Sequence, residues 1–291
     1  MPLREITKLN WNSDLIKSVL LDIKKELGDI KYAVGDYGSY LKKGIELSKI
    51  KHVHDLIHKI GLTLKKICLR YSDFMSLTME IKSMRKQFAQ TILAYIKPPK
   101  LRTKCRYRNV MILSKWGMKT INYLKKRIDK KELHEKLGWL LEHEKIFKEY
   151  FLLSGVICKI EKIMKTQGYN QDSKNECEKL LNKLRTKSGK MLKNELLDYF
   201  LDISRLLPCE DKILISSDII ESAFGKYKNY VSSNPMAGIT NLILCISAFT
   251  STLDENDIQK PLENTTINHV KKWSKEFVGE TLLQKRRLAY A

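Results

Sequence analysis

Residues 30–58 read IKYAVGDYGSYLKKGIELSKIKHVHDLIH, and the succession of segments in this stretch decides the fold. Ile30 to Asp36 is short, apolar and rich in strand-forming residues, and it breaks at Gly35 and Gly38, which predicts a buried strand ending in the acid Asp36. A short helix through Tyr40-Leu41-Lys42-Lys43 follows and is expected to stop at Gly44. Lys49 to His54 predicts a second strand, running into Asp55-Leu56-Ile57-His58 and a long helix. Two strands separated by a helix make a β-α-β unit, hence a parallel pair. An acid at the carboxyl end of a parallel strand stands where such sheets place ligands. On sequence alone, an Asp at a strand end followed by Gly is more often a turn residue.

Upstream, Ser13 to Leu27 places Leu15, Ile16, Val19, Leu20, Ile23 and Leu27 at helical spacing, with Ser13 as cap and Gly28 as stop. Downstream, Leu56 to Glu210 is almost wholly helical in pattern. Breaks are expected at Lys97-Pro98-Pro99-Lys100, Gly117, Gly138, Gly168-Tyr169-Asn170 and Ser188-Gly189. A new helix is expected within Ile213 to Tyr230, capped by Ser216 or Ser217. The apolar run Ala237 to Leu253 reads as a core helix, since it carries Thr240, Asn241, Ser247 and Thr250 and is short for a membrane span. A last amphipathic helix over Ile267 to Phe277 leads to the basic Lys285-Arg286-Arg287. No repeat of solenoid length is present.

The chain has 291 residues, with 54 Lys and Arg against 33 Asp and Glu, a formal charge of +21. Only 13 Gly and 6 Pro disfavour sandwiches and barrels, which need frequent turns, and leave a predominantly α fold with a small parallel β piece. The charge points to a polyanion, nucleic acid ahead of a membrane surface, unless it reflects a general lysine richness. Between Lys97 and Lys131 thirteen Lys or Arg face a single acid, Asp129, with Tyr107, Trp116 and Tyr123 interleaved. Arg102, Lys104, Arg106, Arg108, Lys115 and Lys119 are the candidate phosphate contacts there. The alternative is a solvated helix exterior whose rings pack inward. The six cysteines form no C-x-x-C pair and mostly sit in apolar helical runs, as small hydrophobes in a reducing cytosol would. Met1-Pro2-Leu3-Arg4-Glu5 leads into no apolar signal region, so neither secretion nor a membrane partner is expected. His52 and His54 share a strand face with His58 nearby, yet no further Cys or His has ligand spacing, which disfavours zinc.

The segment Val34 to Ile45 with Lys49 to His58 resembles the region around the second aspartate of DDE-type insertion-sequence transposases. There a strand ends in Asp-x-Gly, a short helix follows, and the next strand runs into D-x-x-H, here Asp55 and His58. Ser217 to Lys228 (SDIIESAFGKYK) is similar to the helix carrying their last acid, keeping Glu221 and Lys228 at the family offset but with Leu214 and Ser217 where Tyr and Arg often stand. The resemblance covers under a third of the chain. It implies a partial RNase H-like core interrupted by a large helical insertion, formed by the 184 residues between Asp36 and Glu221. Residues 1–58 would open the core, 59–210 form the insertion, and 211–291 hold the last core helices and basic tail.

The same resemblance implies that Asp36 and Glu221 are catalytic and bind Mg²⁺ or Mn²⁺ for phosphoryl transfer on DNA. Lys228, and Lys226 less directly, would touch transposon-end phosphates, while Asp55 and His58 line the site. Double-stranded DNA, both transposon ends and target, is the implied partner. A homodimer is compatible, and a bacterial cytoplasmic, nucleoid-associated location follows. The family core opens with a three-stranded meander carrying a first catalytic Asp. About a dozen residues precede the first helix, too few for three strands of roughly five residues each. The chain is therefore expected to be an amino-terminally truncated relative that binds DNA without cutting it. The alternative is a non-catalytic, basic, helical nucleic-acid-binding protein in which Asp36 and Glu221 are structural and, for Glu221, favoured by the helix dipole.

Overall fold

The computed structural model of the chain describes residues 11–71, 73–88, 91–101, 108–207, 212–231, 246, 254–277, 280 and 287–290. They fall into two compact units, one of Lys17–Ser216 and one of Met1–Ile16 with Ser217–Ala291. The described residues are mostly helical, with one two-stranded parallel sheet. Helix α1 (Ser13–Leu27) is capped one residue earlier than expected: Asn12 Oδ1 accepts from Leu15 N at 2.8 Å. Gly28, at φ +85°, ends it as anticipated, in the left-handed conformation that glycine adopts without strain.

Strand β1 (Tyr32–Gly35) and strand β2 (Lys51–His54) pair in parallel, Tyr32 opposite Lys51 and Gly35 opposite His54. Helix α2 (Ser39–Leu47) makes the crossover. It does not stop at Gly44. That residue is buried within the helix, and the turn comes later, at Lys49 with φ 58°. Beyond β2, Asp55 N donates to Gly35 O at 2.8 Å, extending the ladder by one bond. Asp55 then caps helix α3 (Leu56–Arg70).

The helical stretch continues through α4 (Asp73–Phe88), a 3-10 turn at Ala94–Ile96, α5 (Asn109–Lys126), α6 (Lys131–Leu137), a second 3-10 turn at Gly138–Leu141, α7 (Glu144–Gln167), α8 (Gln171–Leu181) and α9 (Lys187–Leu206). A single hydrophobic cluster runs from Val53 to Ile215, with Tyr32 and Val34 packed against it, so the two strands and these helices share one core. Each fully buried Leu, Ile or Phe in it contributes roughly 1.5–3 kcal/mol of transfer free energy. Two expected breaks are absent. Gly117 lies inside α5, where a Cβ would come 2.2 Å from Phe147 Cε1, so the glycine lets α5 and α7 approach closely. Ser188 and Gly189 lie in the first turn of α9, whose cap Thr186 accepts from Gly189 N at 3.1 Å. The turn at Gly168-Tyr169-Asn170 is present: Gly168 has φ +70°, and Asn170 with Ser173 forms a reciprocal capping box on α8.

After the helices the chain returns to the sheet. Ile213 bridges Tyr169, Leu214 N donates to the Tyr32 hydroxyl at 2.9 Å, and Leu56 N donates to Ile215 O at 2.9 Å. In the second unit, α10 (Asp218–Val231) starts after Ser217, whose carbonyl accepts from Ile220 and Glu221. Helix α11 (Glu255–Asn264), absent from the sequence reading, is followed by α12 (Ile267–Phe277) at its expected bounds. The apolar run 237–253, apart from Ile246, lies outside the described residues, as do Lys285 and Arg286. Among the described residues no helix is long and apolar enough to cross a membrane.

Candidate nucleic-acid interface

Asp36 follows β1 directly, at the carboxyl end of the parallel pair, and is exposed. Its Oδ1 accepts from Gly38 N at 2.8 Å, an Asx turn that starts α2 and uses one of the lone-pair sites of the carboxylate. Asp55, at the same end of β2, is only 1% exposed. Its Oδ1 accepts from His58 N at 2.9 Å and lies 3.2 Å from His58 Nδ1, so it caps α3 and orients the half-exposed imidazole.

His52 and His54 share one face of β2, as their spacing predicts, with ring centroids 4.4 Å apart. Tyr37 stacks on His54 at 3.9 Å. His52 Nδ1 and Nε2 and His54 Nδ1 are buried without a hydrogen-bond partner. Burial pushes the His54 imidazole down to about 4, helped by His52, Lys42 and Lys59. Burial also lowers His52, against the opposing pull of the Gly35 carbonyl, which is near but outside hydrogen-bond geometry. Both rings are neutral near pH 7.

The basic stretch resolves into different fates. Arg102, Lys104 and Arg106, with Tyr107, lie outside the described residues. Arg108 is drawn into the protein: its Nη2 is 2.6 Å from Glu161 Oε1, and the two side chains are 16% and 13% exposed. Its charge is thereby neutralised, which removes it from the free cationic surface. Helix α5 buries Val110, Leu113, Gly117, Ile121 and Leu124 and turns Lys115, Lys119 and Lys126 outward. Lys125 pairs with Glu144 at 2.7 Å, whereas no carboxylate among the described residues pairs with Lys115, Lys119 or Lys126.

Beside this face lies a cleft of about 320 Å³ lined by Tyr95, Ile96, Lys97, Trp116, Lys119, Thr120 and Tyr123. Four of these come from a single stripe of α5, at positions i, i+3, i+4 and i+7. The opposite wall is the 3-10 turn and Lys97. Trp116 Nε1 donates to Ile96 O at 3.1 Å and ties the two walls together. Tyr95 and Tyr123 meet edge to face at 6.3 Å. The closeness of the two phenols lowers that of Tyr123 and raises that of Tyr95. Tyr95, 61% exposed, escaped the sequence reading because it precedes the charge run; its only signal was its place just ahead of Lys97-Pro98-Pro99.

Glu221, Lys226 and Lys228 are exposed on α10 in the second unit, Glu221 in its first turn with Asp218. Asp36 belongs to the first unit. Among the described residues no three His, Cys, Asp or Glu gather where they could hold a metal ion. Cys68 and Cys177 are buried thiols pushed up to about 11 and about 12 by that burial, as packing residues would be. No family model matches the chain, and neither the curated proteins nor the solved structures searched hold a match.

Proposed function

We propose that this protein binds double-stranded DNA through the outward face of α5 and derives from a DDE-type insertion-sequence transposase. The observation that carries the binding is the set of exposed Lys115, Lys119 and Lys126, unpaired among the described residues, on a helix whose other face is locked into the core. A cationic stripe on a rigid helix neutralises phosphates and releases counterions on binding. Support for the lineage comes from the return of the chain. Leu56 N donates to Ile215 O at 2.9 Å, so the helices after α3 form an excursion that leaves and re-enters beside the β-α-β element. An insertion into a small α/β core has that form.

The proposal stops at binding and does not extend to cleavage. A second reading, a basic helical binding protein without transposase chemistry, is favoured by the roles the acids already fill. Asp36 makes the turn into α2, and Glu221 stands in the positively polarised first turn of α10. Titration of a labelled duplex by fluorescence anisotropy tests the binding that both readings share. Affinity that falls steeply with salt supports it, and no binding at low salt contradicts it.

A further inference from the structure

We infer that the cleft between α5 and the Ala94–Ile96 turn takes a single unpaired nucleotide, so that the protein favours DNA with an exposed single strand over closed duplex. The inference rests on the DNA-binding reading and names what that surface recognises. Three aromatic residues, Tyr95, Trp116 and Tyr123, line a space of about 320 Å³. That lies at the small end of ligand sites, which run roughly 300–1,000 Å³, and suits a planar group with its sugar while excluding a duplex. Base stacking on such rings is tolerant of sequence, because every base has a π face.

The chemistry of the rim selects an anion. Lys97 and Lys119 are exposed and unpaired among the described residues, and no acidic side chain lines the cleft. A flat π system carrying a phosphate satisfies both parts of the site. The walls are already positioned: the Trp116 N–H is spent on the Ile96 carbonyl, and the Tyr95 and Tyr123 rings rest edge to face. Little side-chain freedom is left to lose when a ring enters. The cleft also shares Lys119 with the stripe that includes Lys115, so a duplex lying on α5 could deliver a terminal or displaced base into it.

The test compares a blunt duplex, the same duplex with a three-nucleotide overhang bearing 2-aminopurine, and free deoxyadenosine monophosphate, all with the full chain. The overhang is expected to bind about fivefold tighter or more than the blunt end, with 2-aminopurine fluorescence quenched on binding. Tyr95→Ala should bring the overhang-to-blunt ratio to near one, while Tyr95→Phe, which keeps the ring, should preserve it. Equal binding of both duplexes with unchanged fluorescence overturns the inference and leaves DNA binding standing. Failure to bind any DNA overturns the reading beneath it. Saturable binding of the free nucleotide without an overhang preference overturns the assignment to a strand end.

Discussion

Gly117 of α5 faces the ring of Phe147 of α7 so closely that a Cβ on it would stand 2.2 Å from Cε1. Gly117→Ala is therefore expected to destabilise the protein by about 1–3 kcal/mol through overpacking between two core helices. Gly155→Ala, in α7 with nothing within 4 Å of its Cβ position, should instead be neutral or stabilising by up to about 1 kcal/mol. Urea midpoints of the two variants against wild type give the comparison. Equal shifts would contradict the packing role assigned to Gly117.

Asp55 caps α3 from a buried position and continues the strand ladder through its own N–H. Asp55→Ala removes the acceptor for His58 N and is expected to cost about 1–2 kcal/mol, with part recovered by Asp55→Asn. Thermal unfolding reads this out, and an unchanged midpoint for Asp55→Ala would contradict it.

The stacked His54 gives the fold a pH dependence of definite sign. Its imidazole is held down at about 4 in the folded chain, while an unfolded histidine titrates near ~6.5. Between these values the unfolded state binds more protons, so stability is complete above about pH 6.5 and falls as pH drops toward about 4. Lowering of His52 acts in the same direction. His54→Phe keeps a ring against Tyr37 and removes the titration, so its melting temperature should fall less over that window. A parallel decline in both proteins would rule out His54 as the source.

Asp36 is a turn former in its own unit, its Oδ1 accepting from Gly38 N at the start of α2. Supercoiled plasmid incubated with the protein and Mg²⁺ or Mn²⁺ is expected to remain unnicked. Ion-dependent nicking that Asp36→Ala abolishes would contradict that expectation and favour a working transposase site.

The β-α-β element was legible because its determinants are local: for β1 a short apolar run ending in glycine, and after β2 an Asp placed to cap the next helix. The bounds of α12 were legible for the same reason, from the spacing of its apolar residues. Gly117 reads as a break in sequence because its reason for being there is Phe147, thirty positions away. Gly44 and Gly189 mislead similarly, one buried within α2 and the other donating its N–H to the capping Thr186 in the first turn of α9. At the candidate interface, the outward lysines of α5 follow from helical periodicity. The pairing of Arg108 with Glu161 does not, since it joins residues 53 positions apart. Tyr95 lay outside the charge run and becomes recognisable only once α5 folds against its turn.

The most direct test of the central claim is the salt dependence of duplex DNA affinity for wild type, the Lys115→Ala/Lys119→Ala double variant and Arg108→Ala. Loss of two phosphate contacts should make the slope of log affinity against log salt shallower by about 2 in the double variant, with stability unchanged. Arg108→Ala should keep the wild-type slope and lose about 1–3 kcal/mol of stability, because it strands Glu161 in a largely buried position. A double variant with wild-type affinity and slope would contradict binding through the α5 face.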